Sequence, residues 1–423
     1  MKKLFFFILT LTTLLACSKD DDTDNAPLVT PGKRTVIVYM VGPENLRNMM
    51  QYDINEIIEG RKLTADDNNL VVFVDKPSND EKPYLARVTK DKEHPLEVIT
   101  EYDHNFYSSG AEAMADVLRQ AVSCCPATRD YGLVLWGHGN GWVIENDSVA
   151  ADDSGHRANT LGSARRAYGL DSSGGEAETK GRWLNLPSMR KALEMAGVDW
   201  KYIFADCCNM LNAEVAYELR RHTKYLIGAP SEISGMGASY DVIVPDLFIE
   251  DDTEMIHAIC DDYYSQIDFV GGHLPIGVLK TDAMDALAEA TRDVLPYVAD
   301  YLRRPDAMRG IIYYYAFNKN KEEEKVLYDM RDVVRAALAD QQPDQYAQWQ
   351  EALRNALVYN KMSTYWHANC VDFMDFIVTE EKFGGVSMFF PLEKYEATTS
   401  HHYNKDIRKT AWYYAVGWSE VGW

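Results

Sequence analysis

The sequence predicts an α/β fold in which a largely parallel sheet is covered by helices on both faces. Short, continuous apolar runs alternate along the chain with stretches of helical spacing, a pattern typical of parallel strands buried on both faces. With 46% hydrophobic and 12% aromatic residues, the chain is globular rather than disordered. Its 423 residues are enough for a sizeable core, built as one large domain or two.

The predicted elements follow one another in the order expected of such a sheet. Residues 34–41, Arg-Thr-Val-Ile-Val-Tyr-Met-Val, form the first continuous apolar run. Further strands are predicted at 69–75, 84–88, 131–136, 200–205, 225–229, 275–279 and 384–390. Helices are predicted at 50–63, 111–122, 187–196, 211–222, 284–303 and 321–357. Strands and helices that alternate in this way are typical of βαβ units.

The N-terminus predicts an exported, lipid-anchored protein. Lys2 and Lys3 precede an apolar run at 4–15, which has the length of the central part of a signal peptide. The run is too short to cross a bilayer, which takes roughly 20 residues. It ends in Leu-Leu-Ala-Cys17 and resembles a bacterial lipobox, which implies a signal peptide at 1–16 and lipidation of Cys17. An ordinary secretory signal with a chance cysteine is the alternative.

Residues 17–33 predict an acidic, flexible tether. The sequence Ser-Lys-Asp-Asp-Asp follows Cys17 directly and resembles the surface-export signal of Bacteroidetes lipoproteins; a plain solvated tether is the alternative. We therefore expect a chain that is held in the bacterial outer membrane through the lipid on Cys17 and exposed at the cell surface.

The net charge and the cysteines restrict the class of partner. The formal charge of −22 would repel a polyanion, so we expect no nucleic acid partner, whereas cationic substrates suit this surface. Four of the cysteines other than Cys17 form two adjacent pairs, which rarely bridge each other. The cysteine spacing also lacks a zinc pattern. The sequence predicts neither a disulfide scaffold nor a zinc site.

A histidine follows one of the predicted strands in a glycine-rich turn. Gly137-His138-Gly139 comes directly after the strand at 131–136. The glycines let the backbone turn sharply and present the imidazole at the carboxyl edge of the sheet, where the sites of α/β proteins gather. A histidine that only caps the strand or fills the core is the alternative.

Two cysteines follow another predicted strand. Asp206-Cys207-Cys208 lies between the strand at 200–205 and the helix predicted at 211–222. A helix N-terminus would increase the thiolate fraction of such a cysteine and would place N–H groups near an oxyanion. A buried structural cysteine is the commoner alternative, although a carboxylate at a strand end needs a partner. A cysteine and a histidine on neighbouring strand ends provide a thiol nucleophile with a general base.

Several of these motifs together resemble the clostripain-like cysteine peptidases. They are Gly-His-Gly after a buried strand, then Asp-x-Cys-x-Met followed by Glu-Val-Ala-Tyr-Glu-Leu. Further similar segments are Gly-Ala-Pro-Ser-Glu at 228–232, Gly-Val-Ser-Met-Phe-Phe-Pro at 385–391 and Trp-Tyr-Tyr-Ala-Val-Gly-Trp at 412–418. The family is grouped with caspases, gingipains and legumain, so the resemblance implies a caspase-type sheet from about residue 34 onward.

The resemblance also implies roles for individual residues. It makes His138 the general base and Cys208 the nucleophile; Cys207 stands where the family has alanine, so the identity of the reacting thiol stays open, with Cys208 preferred. It implies that the backbone N–H groups of Gly139 and Cys208 hold the oxyanion. It places Asp206 in the S1 pocket, facing Arg or Lys at P1. The implied enzyme is an endopeptidase that cuts after basic residues through a Cys-His dyad and an acyl-enzyme.

Other residues are weaker candidates. Ser231, Glu232 and Asp241 line the substrate cleft in this interpretation, or they only cap the following turns. His401 and His402 lack a third ligand at suitable spacing, so no metal site is predicted. Clostripain itself depends on calcium, and the acidic composition is compatible with Ca²⁺, but the chain has no EF-hand loop and no required cofactor is predicted.

The segment at 145–183 predicts a long exposed loop inside a catalytic core at 34–290, which a C-terminal subdomain at 291–423 completes. Several clostripain-like enzymes cut themselves between the His and Cys strands, so the resemblance implies self-cleavage here; a solvated surface loop is the alternative. The candidate self-cleavage residues are Arg157, Arg165, Arg166 and Lys180.

Two other functions compete with a basic-specific peptidase. The doubled cysteine favours an inactive relative that serves as a surface binding or adhesion protein on the same scaffold. A peptidase that prefers Asn or Asp at P1 is the second alternative, although Asp206 would repel an acidic P1 side chain. In each case we expect a monomer.

Overall fold

The computed structural model describes most of the chain after the tether. The described ranges are 29–76, 81–144, 168–171, 182–266, 268–269, 272–316, 320–321, 324–369, 372–374, 376–396 and 402–423. Some residues named above lie outside these ranges, namely Cys17, Arg157, Arg165, Arg166, Lys180 and His401.

The described residues form strands and helices that alternate along the chain. The strands are β1 (Gly32–Val41), β2 (Asn69–Asp75), β3 (Tyr84–Val88), β4 (Leu96–Glu101), β5 (Ala127–Gly137), β6 (Tyr168–Asp171), β7 (Arg182–Leu184), β8 (Trp200–Asp206), β9 (Thr223–Gly228), β10 (Asp268–Phe269), β11 (Gly272–His273), β12 (Ile276–Lys280), β13 (Tyr313–Ala316), β14 (Lys325–Asp329), β15 (Leu357–Lys361), β16 (His367–Asn369), β17 (Asp372–Phe373) and β18 (Ser387–Met388). The helices are α1 (Arg47–Arg61), α2 (Ala111–Cys124), α3 (Leu186–Ala196), α4 (Ala213–Leu219), α5 (Tyr240–Asp246), α6 (Asp252–Gln266), α7 (Met284–Leu302), α8 (Met330–Leu338), α9 (Pro343–Ala356), α10 (Tyr403–Asp406) and α11 (Ala411–Ala415). None of these helices is long and apolar enough to cross a bilayer.

A nine-stranded sheet lies at the centre, in the order β15-β12-β9-β8-β5-β1-β2-β3-β4. Its five middle strands, β9 to β2 in that order, pair in parallel. Two antiparallel strands continue it at each edge. The middle strands are buried on both faces, as their continuous apolar runs predict. The predicted class, a largely parallel sheet flanked by helices, is confirmed.

The chain departs from the predicted elements mainly after residue 320. The single helix predicted at 321–357 is instead β14, α8, α9 and β15. Asp329 ends β14 and caps α8, because its carboxylate accepts a hydrogen bond from the Asp332 amide at 2.9 Å. Pro343 opens α9, since proline is favoured in the first turn of a helix and cannot continue the preceding one. The strand predicted at 384–390 is reduced to the two residues of β18.

The segment predicted as an exposed loop at 145–183 contains two strands in its described parts, 168–171 and 182–183. β6 and β7 pair as an antiparallel hairpin. Tyr168 is buried, and its hydroxyl donates to the carbonyl oxygens of Tyr39 at 2.8 Å and Trp136 at 3.2 Å. Trp183 is buried as well. The loop prediction is therefore wrong for these two strands, which pack beside the sheet.

The last part of the chain holds the helix that follows the two cysteines. The Phe389 amide donates to the Glu214 carboxylate of α4 at 2.9 Å. The Ala411 amide donates to Glu218 of the same helix, also at 2.9 Å. The Trp412 ring packs edge-on against Tyr217, 5.4 Å away. These contacts fix α4 against the sheet and therefore fix the turn that precedes it.

We expect stability to fall as the pH rises toward 9, and a Glu214→Gln substitution to reduce that fall. Glu214 is fully buried, and burial raises its pKa from 4.5 to about 8. Because the folded state binds this proton more tightly than the unfolded chain, the stabilisation is complete below about pH 4.5 and is lost as the pH rises through about 8. Glutamine keeps an oxygen for the Phe389 amide but does not titrate. Thermal unfolding midpoints at a series of pH values measure the effect.

Above neutral pH, the thermal unfolding midpoint of the wild type should fall further with each step in pH than that of Glu214→Gln. Glu59→Gln is the matched control, because Glu59 is exposed on α1 and pairs only with Lys62 there. Parallel pH curves for the wild type and Glu214→Gln would contradict the assignment of a protonated interior glutamate.

Candidate active site

Two neighbouring strands bring the predicted histidine and cysteines to one edge of the sheet. β5 and β8 are adjacent and parallel, and Trp136 lies opposite Asp206 in their register. His138 and Cys208 each follow this pair by two residues. Because the carboxyl ends of parallel strands meet at the same edge, the two segments leave the sheet side by side.

The backbone of Gly139 lies directly against the two cysteines. A Cβ atom on residue 139 would be 2.7 Å from the Cys208 carbonyl oxygen and 3.1 Å from the Cys207 Cβ. Gly137, at the start of the same turn, has a φ of 140° and leaves no room for a Cβ, which would be 2.2 Å from the Val41 oxygen. Glycine is therefore needed at both positions for the histidine segment to approach the cysteine segment.

The two cysteines differ in accessibility. Cys207 is fully buried, and its burial, with smaller contributions from Cys208 and Asp206, raises its pKa well above the ordinary value for a thiol. Cys208 is partly exposed, and its sulfur accepts a hydrogen bond from the Ile233 amide at 3.4 Å. A substrate can reach Cys208, whereas Cys207 is a protonated core residue. This placement favours Cys208 as the reacting thiol.

The turn after Cys208 corrects one expectation about its environment. The helix predicted at 211–222 spans only Ala213–Leu219, and Asn212 caps it by accepting from the Val215 amide at 3.1 Å. Asn209 adopts a left-handed φ of 61° in the intervening turn. Cys208 therefore lies before the first turn of α4, where the helix dipole has little effect on it. The positive end of α4 is not a direct source of thiolate stabilisation.

His138 lies among residues that sequence patterns did not identify. Its Nε2 atom is 3.3 Å from the Asn45 Oδ1 atom, and its ring centroid is 6.2 Å from that of Trp183. The His138 carbonyl accepts a hydrogen bond from the Gly169 amide at 2.9 Å, so the β6–β7 hairpin supports the histidine turn. Asn45 follows the end of β1, and a polar residue at a third strand end is the signal that could have indicated it.

Asp206 is a buried carboxylate with three hydrogen-bond donors. Its Oδ2 atom accepts from the Tyr240 hydroxyl at 2.8 Å and from the Ala238 amide at 3.0 Å. Its Oδ1 atom accepts from the Tyr263 hydroxyl at 3.2 Å. Burial raises the pKa of Asp206 in spite of these donors. The turn at Gly237 covers the carboxylate so closely that a Cβ there would be 2.7 Å from Oδ2.

The three weaker cleft candidates occupy different places. Ser231 is fully buried; its hydroxyl donates to the Glu232 carbonyl, and its own carbonyl accepts from the Asn209 amide at 2.9 Å. Glu232 is nearly buried and immediately precedes Ile233, which contacts the Cys208 sulfur. Asp241 is exposed in the first turn of α5. Ser231 and Glu232 therefore support the thiol, whereas Asp241 is exposed to solvent.

The described residues contain no group of three or more His, Cys, Asp and Glu side chains placed to hold a metal ion. The five cysteines described here, Cys124, Cys125, Cys207, Cys208 and Cys260, are unbridged. The chemistry available at this edge of the sheet is that of a partly exposed thiol, an imidazole and a buried carboxylate.

Comparison with known proteins agrees with this chemistry. A model of the clostripain family, peptidase family C11, matches residues 38–423. Curated proteins give no match.

Solved structures of similar proteins share the fold over nearly the whole chain. A secreted C11 cysteine protease from Bacteroides thetaiotaomicron, in complex with an irreversible peptide inhibitor, is 29% identical, with a TM-score of 0.72 over 92% of this chain and 99% of that one. An inactive zymogen C11 protease from Parabacteroides distasonis is 22% identical, with a TM-score of 0.71 over 91% and 98%. A further structure, of a secreted C11 cysteine protease from Bacteroides thetaiotaomicron named iotapain, is 20% identical, with a TM-score of 0.68 over 91% and 99%.

Proposed function

The chain belongs to the clostripain family of cysteine peptidases, and from this premise we propose that it cuts peptide bonds after Arg or Lys through a Cys208–His138 dyad. The observation that carries the proposal is the position of Cys208. It is the accessible cysteine of the pair, it lies beside the histidine turn, and it follows the buried Asp206 by two residues.

The proposed reaction proceeds in two steps. The Cys208 sulfur attacks the scissile carbonyl carbon, and His138 takes the thiol proton and delivers it to the leaving amine as the C–N bond breaks. The backbone N–H groups of Gly139 and Cys208 hold the oxyanion in this proposal. Water, deprotonated by His138, then attacks the thioester and releases the acid and the thiol.

Asn45 gives the histidine an orientation suited to this role. If the His138 Nε2 atom donates its hydrogen to Asn45 Oδ1, 3.3 Å away, the imidazole is fixed in the tautomer whose Nδ1 atom carries the free lone pair. In that tautomer, Nδ1 is the proton acceptor for the thiol. Asn45 thus acts as a positioning residue in the proposed dyad.

Asp206 supports a basic P1 preference by its charge and burial. A carboxylate in a low-dielectric site gains much more from a cationic partner than a carboxylate in water does. Both acceptor positions of its Oδ2 atom are taken by Tyr240 and Ala238, while Oδ1 accepts only from Tyr263. A P1 cation therefore reaches Asp206 through Oδ1, or it displaces a tyrosine hydroxyl.

We also propose that the enzyme is a monomer held at the bacterial cell surface through a lipid on Cys17. The lipobox-like sequence and the acidic residues after it support this location. Protein or peptide substrates with basic side chains suit the net charge of −22.

A panel of fluorogenic peptides that differ only at P1 tests the specificity. We expect the wild type to cut after Arg and Lys and to leave Gln, Asn and Asp peptides uncut. Asp206→Asn should lower kcat/KM for the Arg peptide by roughly a hundredfold, which corresponds to about 3 kcal/mol of lost pairing. Cys208→Ala should be inactive on every peptide. Assays with and without Ca²⁺ show whether the ion is needed.

Glu59→Gln is the control for the loss of one negative charge, since Glu59 is exposed. Cleavage after Asn or Asp in preference to Arg would refute the basic P1 preference. A wild type with no activity on any peptide would favour the binding or adhesion scaffold instead.

We further propose activation by self-cleavage in the segment at 145–183, at Arg157, Arg165, Arg166 or Lys180. The similar Parabacteroides distasonis protein is an inactive zymogen, which supports a precursor form on this fold. Intact-mass measurement should show two fragments for the wild type and for Cys207→Ala, and one uncut chain for Cys208→Ala. An uncut wild type would overturn the proposal. If the Cys208→Ala protein is also found cut, the cleavage is made by another protease and not by Cys208.

A further inference from the structure

A second buried carboxylate, Asp53, lies on the face of α1 that packs against the sheet. The neighbouring buried side chains of this helix are apolar, namely Met50, Ile54 and Ile57. Asp53 has no exposed surface. Its Oδ2 atom accepts a hydrogen bond from the Trp136 indole at 2.6 Å, and its Oδ1 atom has no hydrogen-bond partner among the described residues. A fully buried carboxylate oxygen without a donor needs an explanation.

Asp53 lies close to Asp206. Trp136, its hydrogen-bond donor, is the register partner of Asp206 across β5 and β8. Burial, and next the charge of Asp206, raise the pKa of Asp53 to about 8. The two acids therefore share one site and repel each other when both are charged.

The groups around this pair supply no positive charge. Glu56, on the same helix, contributes a further acid and accepts from the Tyr240 amide at 2.9 Å. Tyr240 and Tyr263 face the pair with hydroxyls, Trp136 faces it with its indole, and Tyr52 lies beside Glu56. No Lys or Arg of the described chain forms an ion pair with Asp53 or Asp206 or contributes to their pKa values. Within the described chain, no cation offsets the charge that the pair would carry if both acids were ionised.

We infer that Asp53 is a second specificity-determining carboxylate of the P1 pocket, and that a P1 guanidinium is held between the Oδ1 atoms of Asp53 and Asp206. This inference rests on the proposed cleavage after basic residues. Among the described residues, the Asp53 Oδ1 atom has no donor and the Asp206 Oδ1 atom has one remaining acceptor position. A planar guanidinium carries five N–H donors and can bridge two carboxylates, whereas a lysine ammonium is a compact point charge. The pair therefore favours Arg over Lys.

Proton release accompanies this mode of binding. In the free enzyme below about pH 8, Asp53 keeps its proton, because an ionised Asp53 would be buried beside Asp206. A bound guanidinium stabilises the ionised form, so the proton leaves when the substrate enters. The affinity for an Arg substrate should therefore increase as the pH rises toward 8, by up to tenfold per pH unit. A neutral P1 side chain should show no such slope.

Steady-state kinetics of Asp53→Asn test the inference. Substrates with Arg or Lys at P1 are assayed with the wild type, Asp53→Asn and the exposed control Glu59→Gln between about pH 6 and 8.5. The Gln peptide, which the wild type should not cut, is measured as a competitive inhibitor over the same pH range. Asp53→Asn should raise KM for the Arg peptide by about tenfold or more at pH 8, raise it less for Lys, and remove the pH slope of KM, with kcat nearly unchanged. If Asp53 only accepts the hydrogen bond from Trp136, the substitution should change kcat or the stability of the fold. It should then leave the ratio of KM values for the Arg and Lys peptides, and the pH slope of KM, unaltered.

The outcomes separate this inference from the proposed function. A wild type that does not cut after basic residues overturns both. A wild type that cuts after Arg, together with an Asp53→Asn protein of unchanged Arg/Lys ratio and pH slope, overturns the role of Asp53 alone.

A second measurement uses the wild type alone, in case Asp53→Asn does not fold. Calorimetric titration with n-butylguanidinium at about pH 6.5, in two buffers of different ionisation enthalpy, should show a net release of protons on binding. Binding without proton release would overturn the inference.

Discussion

The parallel pairing of β5 with β8 is the constraint on which the rest of the site depends. It sets Trp136 opposite Asp206, and the residues two positions further along, His138 and Cys208, then leave the same edge of the sheet together. A slip of one residue would move either segment by about 3.3 Å, more than the proposed Cys208–His138 dyad would tolerate. The register is held by strands buried on both faces, and the close approach of the two turns is made possible by glycine at 139. The contacts of the C-terminal segment with α4 hold the cysteine turn from the other side.

The same edge of the sheet concentrates carboxylates that are costly to bury. Asp206 receives three hydrogen bonds and still has a raised pKa, and the pKa of Asp53 is raised to about 8. Groups with pKa values perturbed by burial and by a like charge gather at functional sites. A bound partner of opposite charge can offset the free energy that burying such a group costs on folding. Glu214 shows the contrasting case: it is equally buried, but burial alone raises its pKa, and its hydrogen bond with the Phe389 amide joins α4 to the C-terminal segment. Both Asp53 and Glu214 have one buried oxygen without a hydrogen-bond partner among the described residues, so the feature that sets Asp53 apart is the neighbouring acid Asp206.

Much of this fold could be predicted from sequence, because buried parallel strands are continuous apolar runs and their polar ends stand out. His138, the Cys207–Cys208 pair and Asp206 were found in this way. The β6–β7 hairpin was missed because Tyr168 is buried through hydrogen bonds to distant backbone and not through a periodic apolar pattern. The start of α4 was misplaced because the left-handed Asn209 delays the helix. The role of Asp53 depends on Trp136 and Asp206, which are far from it in the chain, although an acid within the apolar stripe of α1 was a visible signal.

The central claim is that Cys208, and not the adjacent Cys207, attacks the carbonyl that follows a basic residue. The most direct measurement is peptide mapping by mass spectrometry after treatment with an acyloxymethyl ketone peptide that carries Arg at P1. We expect one adduct per molecule on Cys208, none on Cys207, and no labelling by the matching reagent with Glu at P1. An adduct on Cys207, or equal labelling by both reagents, would contradict the assignment of Cys208 as a nucleophile specific for basic residues.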